Sequence, residues 1–154
     1  MADIITAVTK KDYDAAGSLF REYAAWLNID LCFQGFEEEL QQLEQMYAPP
    51  KGLILLAKEK DDYIGCVAVR EKAPGIAELK RMYIQPAYQR HGLGNILLQQ
   101  AISFAKNAGY EKIRLDTLAT MTPAISLYKG SGFYTIDPYY FNPEKTAVFF
   151  EKLL

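Results

Sequence analysis

A chain of 154 residues is long enough for one domain with a substantial hydrophobic core. Half of its residues are hydrophobic and 23% are charged, as in a globular protein, and the net charge of -2 favours neither nucleic acid nor an anionic membrane as a partner. No signal peptide opens the chain and no apolar run reaches the roughly 18 residues of a membrane span, so we expect a cytoplasmic protein. Cys32 and Cys66 are too few for a disulfide framework, and we expect no metal site.

The first 50 residues predict a short strand over residues 4–8 and two helices. The first helix is predicted to begin at Asp12, and its apolar stripe is Ala16, Leu19, Phe20, Tyr23, Trp26 and Leu27. A loop over residues 31–35 carries an unusual number of apolar side chains. The second helix has Phe36, Leu40, Leu43 and Tyr47 on one face and its glutamates 37–39 mostly outward, and Pro49 and Pro50 end it.

Residues 52–58, 63–70 and 76–84 have the composition of three strands joined by two turns, at 59–62 and 73–75. A helical stripe follows from Leu93 to Ala105 and ends near Gly109. A fifth strand is predicted over 112–117, and a short helix begins with Thr122 as its N-cap and Pro123 at the first helical position. The last strands are predicted over 133–136 and 147–153. This order predicts an α+β fold whose central sheet is mixed and mostly antiparallel, with about seven strands and about four flanking helices.

The segment between the third strand and the long helix is suited to binding phosphate. Gly92 and Gly94 lack a Cβ atom, so a ligand can approach the backbone there. The first amides of a helix have no partner within the helix and carry the positive end of its dipole. Glycines placed for tight packing are the alternative interpretation.

Residues 89–94, Gln-Arg-His-Gly-Leu-Gly, match the Gln/Arg-x-x-Gly-x-Gly/Ala signature of the GCN5-related N-acetyltransferase (GNAT) superfamily, which the chain resembles. The resemblance covers residues 52–134 well and the first 50 residues in general layout. It implies one domain over residues 1–154, with acceptor-side helices in 1–50, an acetyl-CoA-binding core in 52–134 and C-terminal strands in 135–154. It also implies that the loop's backbone amides hold the pyrophosphate of acetyl-CoA, the loop residues being Gln89, Arg90, His91, Gly92, Leu93, Gly94 and Asn95.

Acetyl transfer to an amine needs the amine in its neutral form. At pH 7 an amine of pKa near 10.4 is neutral in only about one molecule in 2,500, so its deprotonation costs roughly 4.6 kcal/mol. A positioned base should therefore matter more than an acid. The leaving thiolate is a fairly weak base and departs with little help from a proton donor.

Glu78 is the candidate base. It precedes Gln89 by eleven residues, the spacing at which histone-acetylating members of the family carry a catalytic glutamate. Two alternatives stay open: an anchor for the acceptor amine, and a structural surface or edge carboxylate paired with Lys80 or Arg114.

Tyr128 is the candidate acid. Residues 124–133 resemble the family's Ala-x-x-Leu-Tyr-x-x-x-Gly-Phe, in which the tyrosine hydroxyl meets the coenzyme's sulfur. The alternative is a tyrosine that only packs. Many relatives have an asparagine seven residues earlier that touches the coenzyme; Met121 stands here, and Thr122 is the candidate to replace that contact.

Backbone groups of Met82, Tyr83 and Ile84 are implied to bond the pantetheine arm, between strands 76–84 and 112–117. Trp26, Phe33 and Gln34 lie where the family forms its acceptor wall, and one of the aromatic residues 139–141 is a weaker candidate for the same pocket. His91, the single histidine, is interpreted as a solvent-side loop residue rather than part of a catalytic relay.

These features predict an acetyl-CoA-dependent N-acetyltransferase in which a primary amine of a small molecule or peptide attacks directly. The alternative is a coenzyme-binding sensor or accessory domain that does no chemistry. No nucleic-acid or membrane partner is expected, and a homodimer is left open.

Overall fold

A computed structural model describes residues 2–31 and 35–154 of the chain. Its strands are β1 Asp3–Thr6, β2 Leu53–Glu59, β3 Asp62–Ala73, β4 Ile76–Ile84, β5 Lys112–Leu118, β6 Tyr134–Ile136 and β7 Ala147–Leu153. Its helices are α1 Lys10–Leu27, α2 Phe36–Gln41, α3 Leu43–Met46, α4 Leu93–Asn107 and α5 Thr122–Gly130. No helix in these ranges is long and apolar enough to cross a membrane.

The seven strands form one sheet in the order β1-β2-β3-β4-β5-β7-β6. The pair β4–β5 is parallel and the other neighbouring pairs are antiparallel. The predicted α+β fold with a mixed, mostly antiparallel sheet is therefore confirmed. Five helices flank this sheet in the described part of the chain, against about four predicted, because the second predicted helix is divided in two.

Two cores lie on opposite faces of the sheet. On one face, α4 and α5 pack on residues that include Ala77, Leu79 and Leu115. On the other face, which we call the α1 face, α1 to α3 pack on residues that include Cys66, Ala68 and Tyr83. Side chains alternate along a strand, so Glu78, Lys80 and Asp116 point to the α1 face.

β4 and β5 pair only at their beginnings. Their three paired positions join Ile76 to Lys112, Ala77 to Ile113 and Glu78 to Arg114. Beyond the last pair, β4 continues to Ile84 and β5 continues to Leu118, but the two strands no longer pair with each other. They enclose a gap in the middle of the sheet, which we call the fork.

A β-bulge in β4 lies at the edge of this fork. Cys66 pairs with Tyr83 while Ala68 pairs with Lys80, so two residues of β4 oppose one residue of β3. Arg81 is one of the two, and its backbone is left-handed, with φ of 59°. The bulge turns the Arg81 side chain into the α1-face core, where its guanidinium binds both oxygens of Glu39, at 2.7 and 3.1 Å.

Several local predictions were wrong. α1 begins at Lys10, not Asp12, because Thr9 is the N-cap and Asp12 completes a capping box with it. The second helix breaks at Gln42, and Glu39, predicted to face outward, is buried against Arg81 and the Tyr47 hydroxyl. Met121, not Thr122, is the N-cap of α5, and no side chain caps that end.

Candidate active site

The fork between β4 and β5 opens into a cavity of about 40 Å³ on the α1 face. Side chains from separate parts of the chain meet there. Its lining includes Tyr23 of α1, Lys80 and Met82 of β4, Asp116 of β5, Tyr128 of α5 and Asn142 of the last loop. At the fork, residues of α1, of both divergent strands and of α5 thus come together.

The N-terminus of α4 offers free backbone donors beside the fork. Gly92 precedes the helix with φ of 83°, a left-handed conformation that favours glycine, and no side chain caps the end. The first backbone bond across this turn runs from the Ile96 amide to the Gly92 carbonyl. The amides of Leu93, Gly94 and Asn95 therefore have no acceptor within the helix.

Tight packing does not account for the two glycines. A Cβ atom at Gly92 would meet no protein atom within 4 Å, and one at Gly94 would meet only the Leu127 side chain, at an ordinary 3.6 Å. The space over the helix terminus is open on the protein side. An anionic ligand fits it, because the helix dipole and the free amides both favour negative charge there.

The other predicted loop residues have different environments. The Gln89 side-chain amide donates to the Ile84 carbonyl at 2.8 Å and so ties the loop to the end of β4. Arg90, in a left-handed conformation with φ of 68°, and His91 are exposed, as is Asn95, while Leu93 is buried in the core.

Tyr128 is buried, with 5% of its surface exposed, and lines the cavity. Its ring packs against Phe133 and Phe150, with centroids 5.8 and 6.3 Å away. Its hydroxyl has no hydrogen-bond partner among the residues that the structure describes. Burial raises the pKa of Tyr128 far above its ordinary value, so the group keeps its proton. A buried donor without a partner at the fork fits a ligand atom that accepts a hydrogen bond.

Thr122 is the first residue of α5 and is exposed, and Met121 precedes it as the N-cap. No N-cap side chain bonds this helix end, and Thr122 is not among the residues that line the cavity.

Glu78 is buried, with 2% of its surface exposed, so it is not a surface carboxylate, and its ion pair is not with Lys80 or Arg114. Its partner is Arg70 of β3, with Nη2 and Nε both 2.9 Å from Oε1. The Tyr139 hydroxyl donates to Oε2 at 2.8 Å. Burial opposes the charged form, but Lys80, Arg70 and the bond from Tyr139 outweigh it, so the pKa of Glu78 lies below its ordinary value.

Asp116 and Asn142 are site residues that the sequence interpretation missed. Asp116 Oδ2 accepts hydrogen bonds from the Tyr140 hydroxyl and from Asn142 Nδ2, the latter at 3.0 Å. Tyr139 and Tyr140 pack on Phe149 over this part of the α1 face. The cluster of aromatic residues in the last loop was the available signal, although nothing in the sequence indicates which acid they would contact.

The predicted acceptor wall is described only in part. Trp26 is 42% exposed at the end of α1 and its ring lies 5.7 Å from that of Tyr83. Its neighbours Tyr23 and Leu27 contribute to the cavity lining. Phe33 and Gln34 lie outside the described residues.

Of the three β4 residues predicted to meet the pantetheine arm, Met82 lines the cavity, while the side chains of Tyr83 and Ile84 are buried on opposite faces. All three lie beyond the last β4–β5 pair, so the edge of β4 that faces the fork is unpaired along them. An extended chain can bond to such an edge as an added strand.

Comparisons with known proteins agree with this geometry. The model of the acetyltransferase (GNAT) family matches residues 20–133. An uncharacterized N-acetyltransferase of Schizosaccharomyces pombe is 39% identical over 141 residues, which cover 90% of this chain and 86% of the relative. An acetyltransferase structure from Streptococcus agalactiae superimposes with a TM-score of 0.81 at 25% identity, over 99% of this chain and 98% of the other. The PaiA N-acetyltransferase of Thermoplasma acidophilum, solved with coenzyme A, has the same fold, with a TM-score of 0.76 at 22% identity over 99% of each chain.

These matches define the class as an acyltransferase. The chain belongs to the GNAT family of acetyltransferases, as its sequence resemblance predicted, and acetyl-CoA is its cosubstrate.

Proposed function

We propose that this chain transfers the acetyl group of acetyl-CoA directly to a primary amine of a small molecule or peptide, in the fork between β4 and β5. The observation that carries the proposal is the buried Tyr128 hydroxyl, which faces the fork without a hydrogen-bond partner in residues 2–31 and 35–154. Its high pKa keeps the proton in place for a departing thiolate. A thiol of pKa near 8.5 needs only modest help to leave, so a hydrogen bond from Tyr128 suffices.

We assign coenzyme binding mainly to backbone groups, from the unpaired edge of β4 to the start of α4. The unpaired edge of Met82, Tyr83 and Ile84 would take the pantetheine arm as an added strand. The free amides at the start of α4 would hold the pyrophosphate, with Gln89 fixing the loop and Arg90 and His91 at its exposed side. Thr122 is proposed as the contact that replaces the usual asparagine.

Glu78 remains the proposed base. Both of its oxygens are bonded, so the proposed route for the acceptor's proton runs through the Tyr139 hydroxyl, which can accept it while passing its own proton to Oε2. The depressed pKa of Glu78 makes the carboxylate a weaker base than an ordinary glutamate. We therefore place its contribution at the low end of the roughly 10²–10⁴-fold range of general bases.

The acceptor is proposed to enter from the α1 face, where Tyr23, Leu27 and Asp116 line the cavity. Trp26, Phe33 and Gln34 are the proposed outer wall.

The test is release of free thiol from acetyl-CoA with a panel of amino acids, polyamines, aromatic amines and peptides. The proposal expects at least one class to be acetylated by wild type, with the rate reduced in Tyr128→Phe. A protein that binds acetyl-CoA in calorimetry but acetylates no amine would instead be the non-catalytic coenzyme-binding domain.

A further inference from the structure

Lys80 is a buried cation at the fork. It lies two residues after Glu78 on β4, past the last β4–β5 pair, and contributes to the same cavity lining as Tyr128 and Asp116. Only 9% of its surface is exposed. A lysine this far from water is costly unless an anion or several hydrogen bonds accompany it.

The neighbouring carboxylates are already engaged with arginines. Glu78 is paired with Arg70 at 2.9 Å, and Glu39 with Arg81 at 2.7 Å. Among the residues that the structure describes, no carboxylate lies within 4.0 Å of the Lys80 ammonium. Asp116 is the third carboxylate of this part of the α1 face, against the three cations Arg70, Arg81 and Lys80, and it lines the cavity with Lys80 without forming an ion pair to it.

Lys80 is still largely charged at neutral pH. Burial and the nearby Arg81 charge lower the pKa of Lys80 to about 8, against an opposing effect of Glu78 and Glu39. At pH 7 about nine tenths of such groups carry a proton. The positive charge thus persists beside the cavity under ordinary assay conditions.

The coenzyme does not supply an anion that could pair directly with Lys80. Its phosphates belong at the start of α4, at Gly92 and beyond, whereas the pantetheine arm and the acetyl group that would reach Lys80 are uncharged. The acceptor is the remaining source of an anion. Across the fork, Asp116 supplies a carboxylate whose Oδ2 is held by Tyr140 and Asn142, which is suited to facing an ammonium.

We infer that the acceptor is an amino-acid-like zwitterion, whose carboxylate binds Lys80 and whose amine faces Asp116 in the fork between β4 and β5. This inference rests on the proposed acetyl transfer and specifies its substrate class. One unpaired cation matches one carboxylate rather than a doubly charged phosphate. The two strands then fix both ends of the acceptor, with the amine beside Tyr128.

The experiment compares α-amino acids with their own α-amides as acceptors at pH 7, with saturating acetyl-CoA. Wild type is expected to have a kcat/KM about ten- to a hundredfold higher for the acids than for the amides, which is the effect of one hydrogen bond between charged groups. Intrinsic reactivity favours the amides, because the α-amine of an amino-acid amide loses its proton more readily than that of the free acid. A preference for the acids therefore reports recognition of the carboxylate.

Lys80→Met, which has a similar length without the charge, is expected to bring the ratio of kcat/KM for acids to kcat/KM for amides close to one. Lys80→Arg is expected to keep part of the preference for acids. Lys72→Met is the matched control, since Lys72 lies over the Tyr139 and Tyr140 rings and outside the cavity lining. Circular dichroism and acetyl-CoA calorimetry establish that each variant is folded.

Equal use of acids and amides by wild type, or a preference that survives in Lys80→Met, overturns the carboxylate assignment while acetyl transfer stands. An acetyl group found on Lys80 itself also overturns it. If no amine of any class is acetylated, both this inference and the proposed function are wrong.

Discussion

Glu78 and Arg114 are the last residues at which β4 and β5 pair, and the fork that we propose as the substrate site begins immediately after them. A parallel pair that separates inside a sheet leaves backbone donors and acceptors unpaired on both strands. Such groups are costly when buried, so a ligand with a polar backbone of its own is the natural partner. The position of this last pair places Glu78 at the base of the fork and Lys80, Asp116 and Tyr128 along it.

Gly94→Val is expected to weaken acetyl-CoA binding by about tenfold or more, equivalent to about 1.4 kcal/mol, with the fold retained. The new methyl groups would occupy the space over the free amides of α4. Calorimetry measures the affinity, and Gly130→Val is the control, because a Cβ atom there meets nothing within 4 Å and lies in α5 away from the loop. Unchanged affinity in a folded Gly94→Val would refute the phosphate-loop assignment.

Tyr128→Phe is expected to lower kcat by about tenfold, the lower end of the effect of one hydrogen bond to a charged group, with little change in coenzyme affinity. The ring remains in its contacts with Phe133 and Phe150, so only the hydroxyl is lost. Stopped-flow thiol detection gives the rate. Tyr110→Phe, which loses a hydroxyl bonded to the Lys51 carbonyl instead, should retain the wild-type rate. A normal kcat in Tyr128→Phe means that this tyrosine only packs.

Glu78→Gln is expected to lower kcat by about a hundredfold at neutral pH, with the deficit shrinking as pH rises and more amine arrives neutral. An anchoring role would instead raise the KM for the acceptor and leave kcat nearly intact. A pH profile that runs parallel to wild type would leave the base assignment without support.

Tyr139→Phe sharpens the same test. It removes both the proposed proton route and the hydrogen bond that helps to lower the pKa of Glu78, so kcat should fall about as far as in Glu78→Gln, and the acidic limb of the remaining kcat/KM should move to higher pH. Circular dichroism is needed for both variants, because Glu78→Gln also leaves the Arg70 charge without its partner.

Glu39→Gln is expected to destabilise the fold by about 3–5 kcal/mol at pH 7, since it leaves the buried Arg81 guanidinium uncompensated. Burial alone would raise the pKa of Glu39, but Arg81 outweighs it and holds that pKa below the ordinary value. The stabilisation is therefore present above the unfolded-state pKa and is lost as pH falls through the lower folded-state value.

Urea unfolding of wild type and Glu39→Gln at pH 7 and in acid measures this difference, which should narrow in acid. Glu38→Gln, on the exposed side of α2, should stay within about 0.5 kcal/mol of wild type. Equal destabilisation by the two variants would contradict the buried ion pair.

The sequence predicted those parts of the site that are contiguous in the chain. Gly92 and Gly94 form one turn with the start of α4, and Tyr128 lies in a short motif on α5, so local residue patterns were enough. Lys80, Asp116 and Asn142 come from β4, β5 and the last loop, and only strand pairing brings them together. Glu39 reaches Arg81 across 42 residues, which helical periodicity cannot indicate, and that pattern predicted an exposed glutamate.

The most direct test of direct transfer is the intact mass of the chain during a single turnover of acetyl-CoA, with and without the amine found in the screen. Direct transfer predicts that the chain keeps its unmodified mass at every time point and that the acetyl group appears only on the amine. A chain that gains one acetyl group without acceptor, and loses it at the turnover rate when the amine is added, would contradict direct attack in the fork.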